Sequence, residues 1–257
     1  MTEQKQLAVE AHSRQAGMFK AHYDELGNEP YRNCFVYSRL RLNFWLDHLM
    51  PERGDGLRLL DVGCGTGYHL ARYRERGFEI AGIDGSEEML KQARAAIPGI
   101  NFKQGDAESL PFESESFDFA LCIEVLRYLP GIDQCVREIA RVLKPGGAAL
   151  VTAAPPLQAN LYPLVNRISA AVKIGDLTRL KQFFHSERRL RRAFKEAKFS
   201  EIEVHGVYGG PMVWVERISK AIMPALLKAW EKADEKMADA PALKHFSNMF
   251  LVCAKKN

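Results

Sequence analysis

The feature that most constrains the fold of this 257-residue chain is an apolar run that ends in a carboxylate and continues into three alternating glycines. It reads Leu59-Leu60-Asp61-Val62-Gly63-Cys64-Gly65-Thr66-Gly67-Tyr68. Such a segment is typical of a buried strand that turns sharply into a helix. Glycine accepts positive φ and has no side chain, so a ligand can lie directly against the turn. The free amide hydrogens of the turn and of the helix N-terminus then face that ligand.

The spacing of the glycines narrows the kind of ligand. A dinucleotide-binding fingerprint has a glycine three residues after its second glycine. Counted from Gly65, that position is Tyr68, and the last glycine comes one residue earlier, at Gly67. The spacing therefore argues against NAD or FAD.

From residue 57 onward, short apolar runs alternate with amphipathic stretches. The runs predict strands at 57–62, 78–83, 100–104, 117–122 and 147–153, and the stretches predict helices at 67–76, 86–96 and 132–143. Closing strands are expected at 200–205 and 246–255. This alternation predicts a doubly wound α/β fold, in which a mostly parallel seven-stranded sheet carries helices on both faces.

The remaining segments predict helical additions to this sheet. Residues 1–50 are expected to form a helical lid, and residues 51–156 the core. Residues 157–199 are expected to be a helical insertion followed by a basic helix. Residues 200–257 should supply the closing strands, with a loop from Gly206 to Pro211 and a helical cap insertion at about 207–245.

Composition and charge exclude some classes of protein. No window approaches eighteen uncharged apolar residues, and the first residues are polar, so we expect a cytoplasmic protein, with peripheral membrane contact left open. Five widely spaced cysteines form no C-x-x-C pair, which argues against a zinc site or a disulfide framework.

Residues 1–150 carry 18 basic and 22 acidic side chains, whereas residues 151–257 carry 18 basic and 10 acidic ones. The basic half therefore lies outside the glycine turn.

Four further motifs follow the turn in order. A strand ends in the carboxylate of Asp84, and the next expected strand ends in Gly105-Asp106-Ala107-Glu108. The fourth expected strand and the segment after it run from Phe117 to Leu129, and Leu143-Lys144-Pro145-Gly146-Gly147 precedes the fifth. Together with the turn, these motifs resemble the class I S-adenosylmethionine (SAM)-dependent methyltransferases. The resemblance covers about residues 45–155 densely. It implies SAM as the cofactor, S-adenosylhomocysteine (SAH) as a product, and no metal.

The resemblance also implies roles for individual residues. Gly63, Gly65 and Gly67 would line the methionine part of SAM, with Asp61 orienting its amino group. Asp84 would hold the ribose, although Asp84 also suits a helix N-cap, and the adjoining Gly85 is a further implied cofactor contact. The remaining positions implied around the cofactor are Cys64, Met89, Asp106, Ala107 and Ile123. Of these, Asp106 and Ala107 match the places that bind adenine, and Cys64 is given no chemistry.

The sequence names no firm catalytic residue, because methyl transfer needs a base only when the nucleophile carries a proton. Acceptor-side candidates are Glu124, Arg127, Tyr128, Tyr23, Tyr31 and Tyr37. For the N-terminal tyrosines, ordinary packing is the alternative. For the segment after the fourth strand, the alternative is a solvent-facing loop.

The expected function is methyl transfer to a small acceptor, with a lipid-like or amphiphilic acid as one candidate. The segment Ile123-Glu124-Val125-Leu126 lacks the N/D-P-P-Y motif of amino-methylating DNA and glutamine enzymes, and the Arg-Asn stretch of quinone C-methyltransferases is not evident. Specificity should come from insertions at 157–185 and 207–245, both beside the site. Nucleic acid is not the expected partner, and the oligomeric state is left open. The alternatives are a methyltransferase acting on RNA or protein and a non-catalytic SAM-binding protein.

Overall fold

A seven-stranded sheet organises the computed structural model, which describes residues 2–24, 29–172 and 180–257. The strands are β1 Arg58–Val62, β2 Glu79–Asp84, β3 Asn101–Gln104, β4 Phe117–Cys122, β5 Leu143–Ala153, β6 Phe199–Gly209 and β7 Ser247–Lys256. Their order is β3-β2-β1-β4-β5-β7-β6, and β7 is antiparallel to both of its neighbours. The doubly wound, mostly parallel sheet predicted from the alternation is confirmed.

Ten α-helices accompany the sheet in the described ranges. They are α1 Glu3–Arg14, α2 Ala16–Asp24, α3 Cys34–Leu49, α4 Tyr68–Glu75, α5 Glu87–Ala96, α6 Asp133–Val142, α7 Tyr162–Val172, α8 Glu187–Glu196, α9 Met212–Ile218 and α10 Met223–Asp239. No helix in the part of the chain that the structure describes is long and apolar enough to cross a membrane.

The two faces of the sheet bury separate apolar clusters because neighbouring strand residues point in opposite directions. Leu60 belongs to a cluster that includes Ile139 of α6 and Phe194 of α8. Leu59, one residue earlier, belongs to a cluster on the other face with Leu46 of α3. The continuous apolar runs of the sequence thus reflect burial on both sides.

The last part of the sheet departs from the sequence prediction. Strand β6 continues to Gly209, through the glycines expected in a loop, and therefore includes the start of the predicted cap. A Cβ atom at Gly206 would lie 3.2 Å from the Cα of Ala238 in α10. Glycine here allows a helix to approach the strand closely, which is why it does not mark a turn.

The two insertions are only partly helical. Within 157–185 the described helix is α7, while residues 181–185 form neither helix nor strand. There the Phe183 amide donates to the carbonyl oxygen of Arg127 at 2.8 Å. The predicted helical segment at 173–179, which includes Ile174, lies outside the described residues. The second insertion contains α9 and α10, with Pro224 in the first turn of α10, where its missing N–H leaves no bond unmade.

Candidate active site

The segment after β1 forms the turn that the glycine spacing predicts. Gly63, Gly65 and Gly67 have φ values of +77°, +53° and +83°, a region that glycine adopts without strain. A Cβ atom at Gly65 would meet no heavy atom within 4 Å, whereas one at Gly63 would lie 2.2 Å from Val125 Cγ2. Gly65 therefore presents bare backbone to open space, and Gly63 lets the segment after β4 pack closely.

A cavity of about 400 Å³ lies at this turn and at the carboxyl ends of the central strands. One group of its lining residues, which we call the strand-end wall, consists of Gly63, Cys64, Gly65, Asp84, Asp106 and Ile123. A second group, the arginine wall, consists of His12, Tyr23, Arg39, Glu124, Arg127 and Tyr128. Because α1, α2 and α3 each supply a residue to the arginine wall, the N-terminal helices help to enclose the cavity.

Strand β2 ends at Asp84, whose carboxylate joins two loops. Its Oδ2 accepts from the Gly65 amide at 2.9 Å, and its Oδ1 accepts from the Ser86 amide at 2.8 Å. Burial raises the pKa of Asp84, against the lowering effect of these hydrogen bonds. The side-chain cap of α5 is Ser86, whose hydroxyl accepts from the Met89 amide. The side-chain N-cap of α5 is therefore Ser86 and not Asp84. Gly85 and Met89 line the cavity beside them.

Two buried titratable groups near the turn have atoms without a hydrogen-bond partner among the described residues. The first group is Asp61, which is 1% exposed and whose Oδ1 has no such partner. The second is His69, which lines the cavity and whose two ring nitrogens both have no such partner. Burial raises the pKa of Asp61 to about 8, and the charge of Asp84 adds to the rise. Burial lowers the pKa of His69 to about 3. Unpartnered buried polar atoms are costly, so this region suits a polar ligand that completes them.

The loop after β3 carries Asp106, which pairs with the N-terminal helix. Lys5 Nζ lies 2.9 Å from both carboxylate oxygens of Asp106 and also pairs with Glu108. Burial acts in the opposite direction, but Lys5 lowers the pKa of Asp106. Asp106, Ala107 and Lys5 all line the cavity. The carboxylate matched to the adenine site is therefore shared with a lysine of α1.

The arginine wall contains two guanidinium groups and one carboxylate. Glu124 follows β4 with a φ of +64°, and its amide donates to Thr152 Oγ1 at 2.7 Å. Arg39 donates to one of its carboxylate oxygens at 3.1 Å, and Arg127 Nε lies 2.7 Å from the other. Burial acts against them, but the two arginines lower the pKa of Glu124. Glu124 is therefore a weak base, and it holds both arginines in place.

Aromatic side chains complete the arginine wall. The rings of His12 and Tyr128 pack edge to face with centroids 4.9 Å apart. Nδ1 of His12 lies 2.7 Å from the Ala8 carbonyl oxygen. Because that oxygen can only accept, Nδ1 carries the proton of the neutral ring and Nε2 holds the lone pair. Burial raises the pKa of Tyr23 and of Tyr128, so both hydroxyls stay protonated.

Two tyrosines that the sequence suggested as acceptor contacts lie outside the cavity. Tyr37 is fully buried and its hydroxyl donates to Asp234 Oδ2 at 3.0 Å, while the Tyr31 hydroxyl donates to Glu231 at 2.8 Å. Both partners belong to α10. Residues two positions apart on a helix face different directions, so α3 turns Tyr37 toward α10 and Arg39 toward the cavity. The structure thus corrects the placement of Tyr31 and Tyr37.

Gly67 and the second insertion also lie away from the cavity. Gly67 caps the start of α4, and a Cβ atom there would lie 3.2 Å from Ala93 Cβ of α5, so its role is in helix packing. Of the two insertions, the first supplies Tyr162 and Gln182 to the cavity. The described lining residues include none from 207–245, which packs on α3 instead. The expectation that both insertions border the site is corrected for the second.

Four basic side chains that line the cavity carry no motif in the sequence: Lys5, His12, Arg39 and His69. A signal existed for two of them, because Lys5 and His12 share with Ala8 and Val9 the i, i+3, i+4, i+7 spacing of one helix face. For Arg39 in α3 and His69 in α4 we find no comparable pattern.

Comparison with known proteins decides the family. A family model described as a methyltransferase domain matches residues 60–151, which include the whole strand-end wall. The demethylmenaquinone methyltransferase of Staphylococcus aureus is 33% identical over 211 residues, which cover 73% of this chain and 84% of that protein. The chain belongs to the class I SAM-dependent methyltransferases.

Other relatives resemble this methyltransferase over different extents. The biotin biosynthesis bifunctional protein BioHC of Cellvibrio japonicus is 41% identical over 112 residues, which cover 43% of this chain and only 22% of that longer protein. A crystal structure of a SAM-dependent methyltransferase from Thermotoga maritima, described as a possible histamine N-methyltransferase, covers 96% of this chain and 99% of its own. Its TM-score is 0.64 at 18% identity, so this likeness shows the fold alone.

The cofactor of this methyltransferase is SAM, and the residues of the cavity fit it. Gly65 offers open space where a side chain would intrude. Asp61 is not among the residues that line the cavity, but it lies in β1 just before the turn. Its buried, unpartnered Oδ1 suits an ammonium group, because a cation beside it would relieve the cost of ionising a buried carboxyl. Asp84 and Asp106 line the same cavity with acceptor oxygens, as hydroxyl and amine donors require.

Proposed function

We propose that this methyltransferase acts on a small, partly apolar acceptor that binds in the cavity between the strand-end wall and the arginine wall. One observation carries the proposal: the N-terminal helices bring His12, Tyr23 and Arg39 onto the same cavity as Gly65 and Asp84. A cavity of about 400 Å³ enclosed in this way favours a small molecule over an RNA chain or a folded protein.

We assign the cofactor contacts to the strand-end wall. Gly63 and Gly65 would receive the methionine part of SAM, and Asp61 its ammonium group. Asp84 would bind the ribose hydroxyls with the acceptor capacity that its two backbone hydrogen bonds leave over. For the remaining contacts we keep the roles expected from the sequence. Met89, Asp106 and Ala107 would contact the adenine, and Cys64 and Ile123 would lie beside the methionine end.

The chemistry assigns simple tasks to the protein. SAM supplies an activated methyl group for in-line displacement, and the cavity aligns the acceptor with it and excludes water. His12 Nε2 is the lone pair on the arginine wall best suited to take a proton from the acceptor, since Glu124 is held ionised as a weak base. Tyr23 and Tyr128 retain their protons and can orient the acceptor as hydrogen-bond donors.

The curated relative suggests which acceptor to test first. Its name places methylation on demethylmenaquinone, a ring compound with an apolar tail. Aromatic side chains such as Phe19 and Phe35 line the cavity and would suit a flat ring. A flat, ring-containing acceptor is therefore our first candidate, although the segment from Ile123 to Leu126 differs from the quinone C-methyltransferase pattern.

An exposed apolar surface supports delivery of the acceptor from a membrane. On α7 and just before it, Leu161, Leu164 and Ile168 are each more than half exposed, at the spacing of one helix face. Trp214 Nε1 donates to the Asn160 carbonyl oxygen, which places α9 beside this face. We propose that this surface touches anionic lipid on the cytoplasmic side, with nearby basic residues such as Arg167 and Arg217 facing the headgroups. Cosedimentation with phosphatidylglycerol vesicles should be lost in a Leu164→Asp, Ile168→Asp variant.

The proposed function is tested by asking which fraction of a cell extract drives SAH formation. Extract is separated into small molecules, RNA and protein, and each fraction is incubated with the enzyme and SAM. We expect SAH to form with the small-molecule fraction. Formation only with RNA or protein would support the alternative acceptors. SAM binding without SAH from any fraction would support a non-catalytic protein.

A further inference from the structure

The positive charge of the arginine wall exceeds its negative charge. Arg39 and Arg127 both pair with Glu124, so the three side chains together carry one net positive charge. Tyr23 and Tyr128 stay neutral beside them. Isolated charge is costly in a cavity of low polarity, and an anionic ligand would relieve that cost.

Arg39 is incompletely paired. Its side chain is 9% exposed, and it donates through Nη2 to Glu124. Its Nε and Nη1 are buried and have no hydrogen-bond partner among the residues that the structure describes. Arg39 also lies over the Phe35 ring, at 5.3 Å from its centroid, which orients the guanidinium without satisfying its N–H groups. Two buried nitrogen atoms of one guanidinium therefore have N–H groups that a ligand acceptor could satisfy.

Arg127 presents the more accessible guanidinium. Its side chain is 19% exposed and lines the cavity beside Tyr162 and Gln182 of the first insertion. The Gln182 amide nitrogen donates to the Tyr162 hydroxyl at 2.8 Å, while the Gln182 side-chain oxygen is buried and has no hydrogen-bond partner among the described residues. Arginine is suited to this task because its planar group binds carboxylates and phosphates with two parallel hydrogen bonds.

We propose that the acceptor carries an anionic oxygen group, such as a carboxylate, and that Arg127, with Arg39 behind it, binds this group and so positions the acceptor. This inference rests on the proposed function, because it names the class of molecule that enters the same cavity. Glu124 acts as a spacer that fixes both guanidinium groups, and the anion completes their pairing. A neutral acceptor would leave the net positive charge of the wall unbalanced.

The test compares carboxylates with their neutral amides. Calorimetry on the SAH-saturated enzyme measures binding of benzoate, 2-naphthoate and octanoate, each against its amide. We expect at least one carboxylate to bind about tenfold or more tightly than its amide, a difference of about 1.4 kcal/mol. Arg127→Met should bring that ratio close to one while leaving SAH affinity unchanged. Arg58→Met, which removes a charge that stacks on Phe117 outside the cavity, should leave the ratio as in the wild type.

Several results would overturn the inference. One is an equal affinity for all three pairs, another is the lack of binding by any carboxylate, and a third is an unchanged ratio in Arg127→Met. Arg39→Gln serves as a second variant and should also reduce the ratio. If the wild-type enzyme did not bind SAH at all, the proposed function itself would be contradicted. Failure of the proposed function is therefore distinguishable from failure of this inference.

Discussion

The two walls of the cavity are built in different ways. The strand-end wall relies on backbone geometry and on carboxylates at strand termini, as in the turn from Gly63 to Gly65 and at Asp84. The arginine wall relies on long side chains from three N-terminal helices and from the segment after β4. We infer that the fold itself fixes the proposed donor site, whereas the proposed acceptor site can change through single substitutions on helices. Changes on the first wall should affect SAM binding, and changes on the second should affect turnover.

The largest effect is expected for Gly65→Val. Its side chain would enter the open space of the cavity, and SAM affinity should fall by about 100-fold or more, which is about 2.7 kcal/mol. Gly99→Val is the matched control, because Gly99 also has positive φ, at +82°, and open space but does not line the cavity. Calorimetry with SAM checks both variants. Equal losses in the two variants would mean that backbone strain, rather than the cavity, sets the effect.

A change in the arginine wall should affect turnover and spare the donor. We expect His12→Gln to lower kcat by about 100-fold, within the usual range for removal of a general base, with SAM affinity within about twofold of the wild type. The exposed His48→Gln variant is the control. Steady-state rates across a pH series provide the measurement. An unchanged kcat, or a pH profile identical to that of the wild type, would remove His12 from the proposed mechanism.

Asp84→Ala should give an intermediate loss on the donor side. Removing the carboxylate deletes hydrogen bonds to ligand hydroxyls, for an expected loss of about 1.5–3 kcal/mol in SAM affinity. Asp118→Ala is a suitable control, since Asp118 also accepts a backbone hydrogen bond and pairs with Lys144 but lies outside the cavity. Calorimetry on folded protein that keeps full SAM affinity in Asp84→Ala would refute the ribose assignment.

The smallest effect is a proton released from Asp61. Its pKa of about 8 means that the carboxyl is mostly protonated at pH 7 in the free enzyme. Pairing with the ammonium group of SAH favours the ionised form, so binding should release close to one proton at pH 7, and fewer as the pH rises above 8. Calorimetry in buffers of different ionisation enthalpy measures this number. Asp61→Asn should release none, and an equal release by that variant would show that another group titrates.

The sequence predicts the strand-end wall well because its signals are local. A glycine turn and a carboxylate at a strand end lie within a few residues of each other, and the parallel order of strands brings their carboxyl ends to one edge. The arginine wall is harder to predict, because its residues come from separate helices. Whether Tyr37 or Arg39 faces the cavity depends on how α3 packs against β6 and α10, over contacts about 200 residues apart in sequence.

Glycine also shows the limit of local signals. Gly65 and Gly206 both interrupt apolar runs, yet one opens a ligand site and the other lets α10 approach β6. The sequence alone does not distinguish these uses, because the deciding neighbour at Gly206 is Ala238, far along the chain. The pairing of Lys5 with Asp106 is likewise not predictable from local sequence, because it depends on where α1 packs against the loop after β3.

The most direct test of a single cavity for donor and acceptor follows the methyl group itself. The enzyme is incubated with a small-molecule extract and SAM that carries a deuterated methyl group, and the products are read by mass spectrometry. We predict a deuteromethylated small molecule that forms with the wild type and with Gly99→Val, and is absent with Gly65→Val. A label found only in RNA or protein, or a small-molecule product that persists in Gly65→Val, would contradict the account.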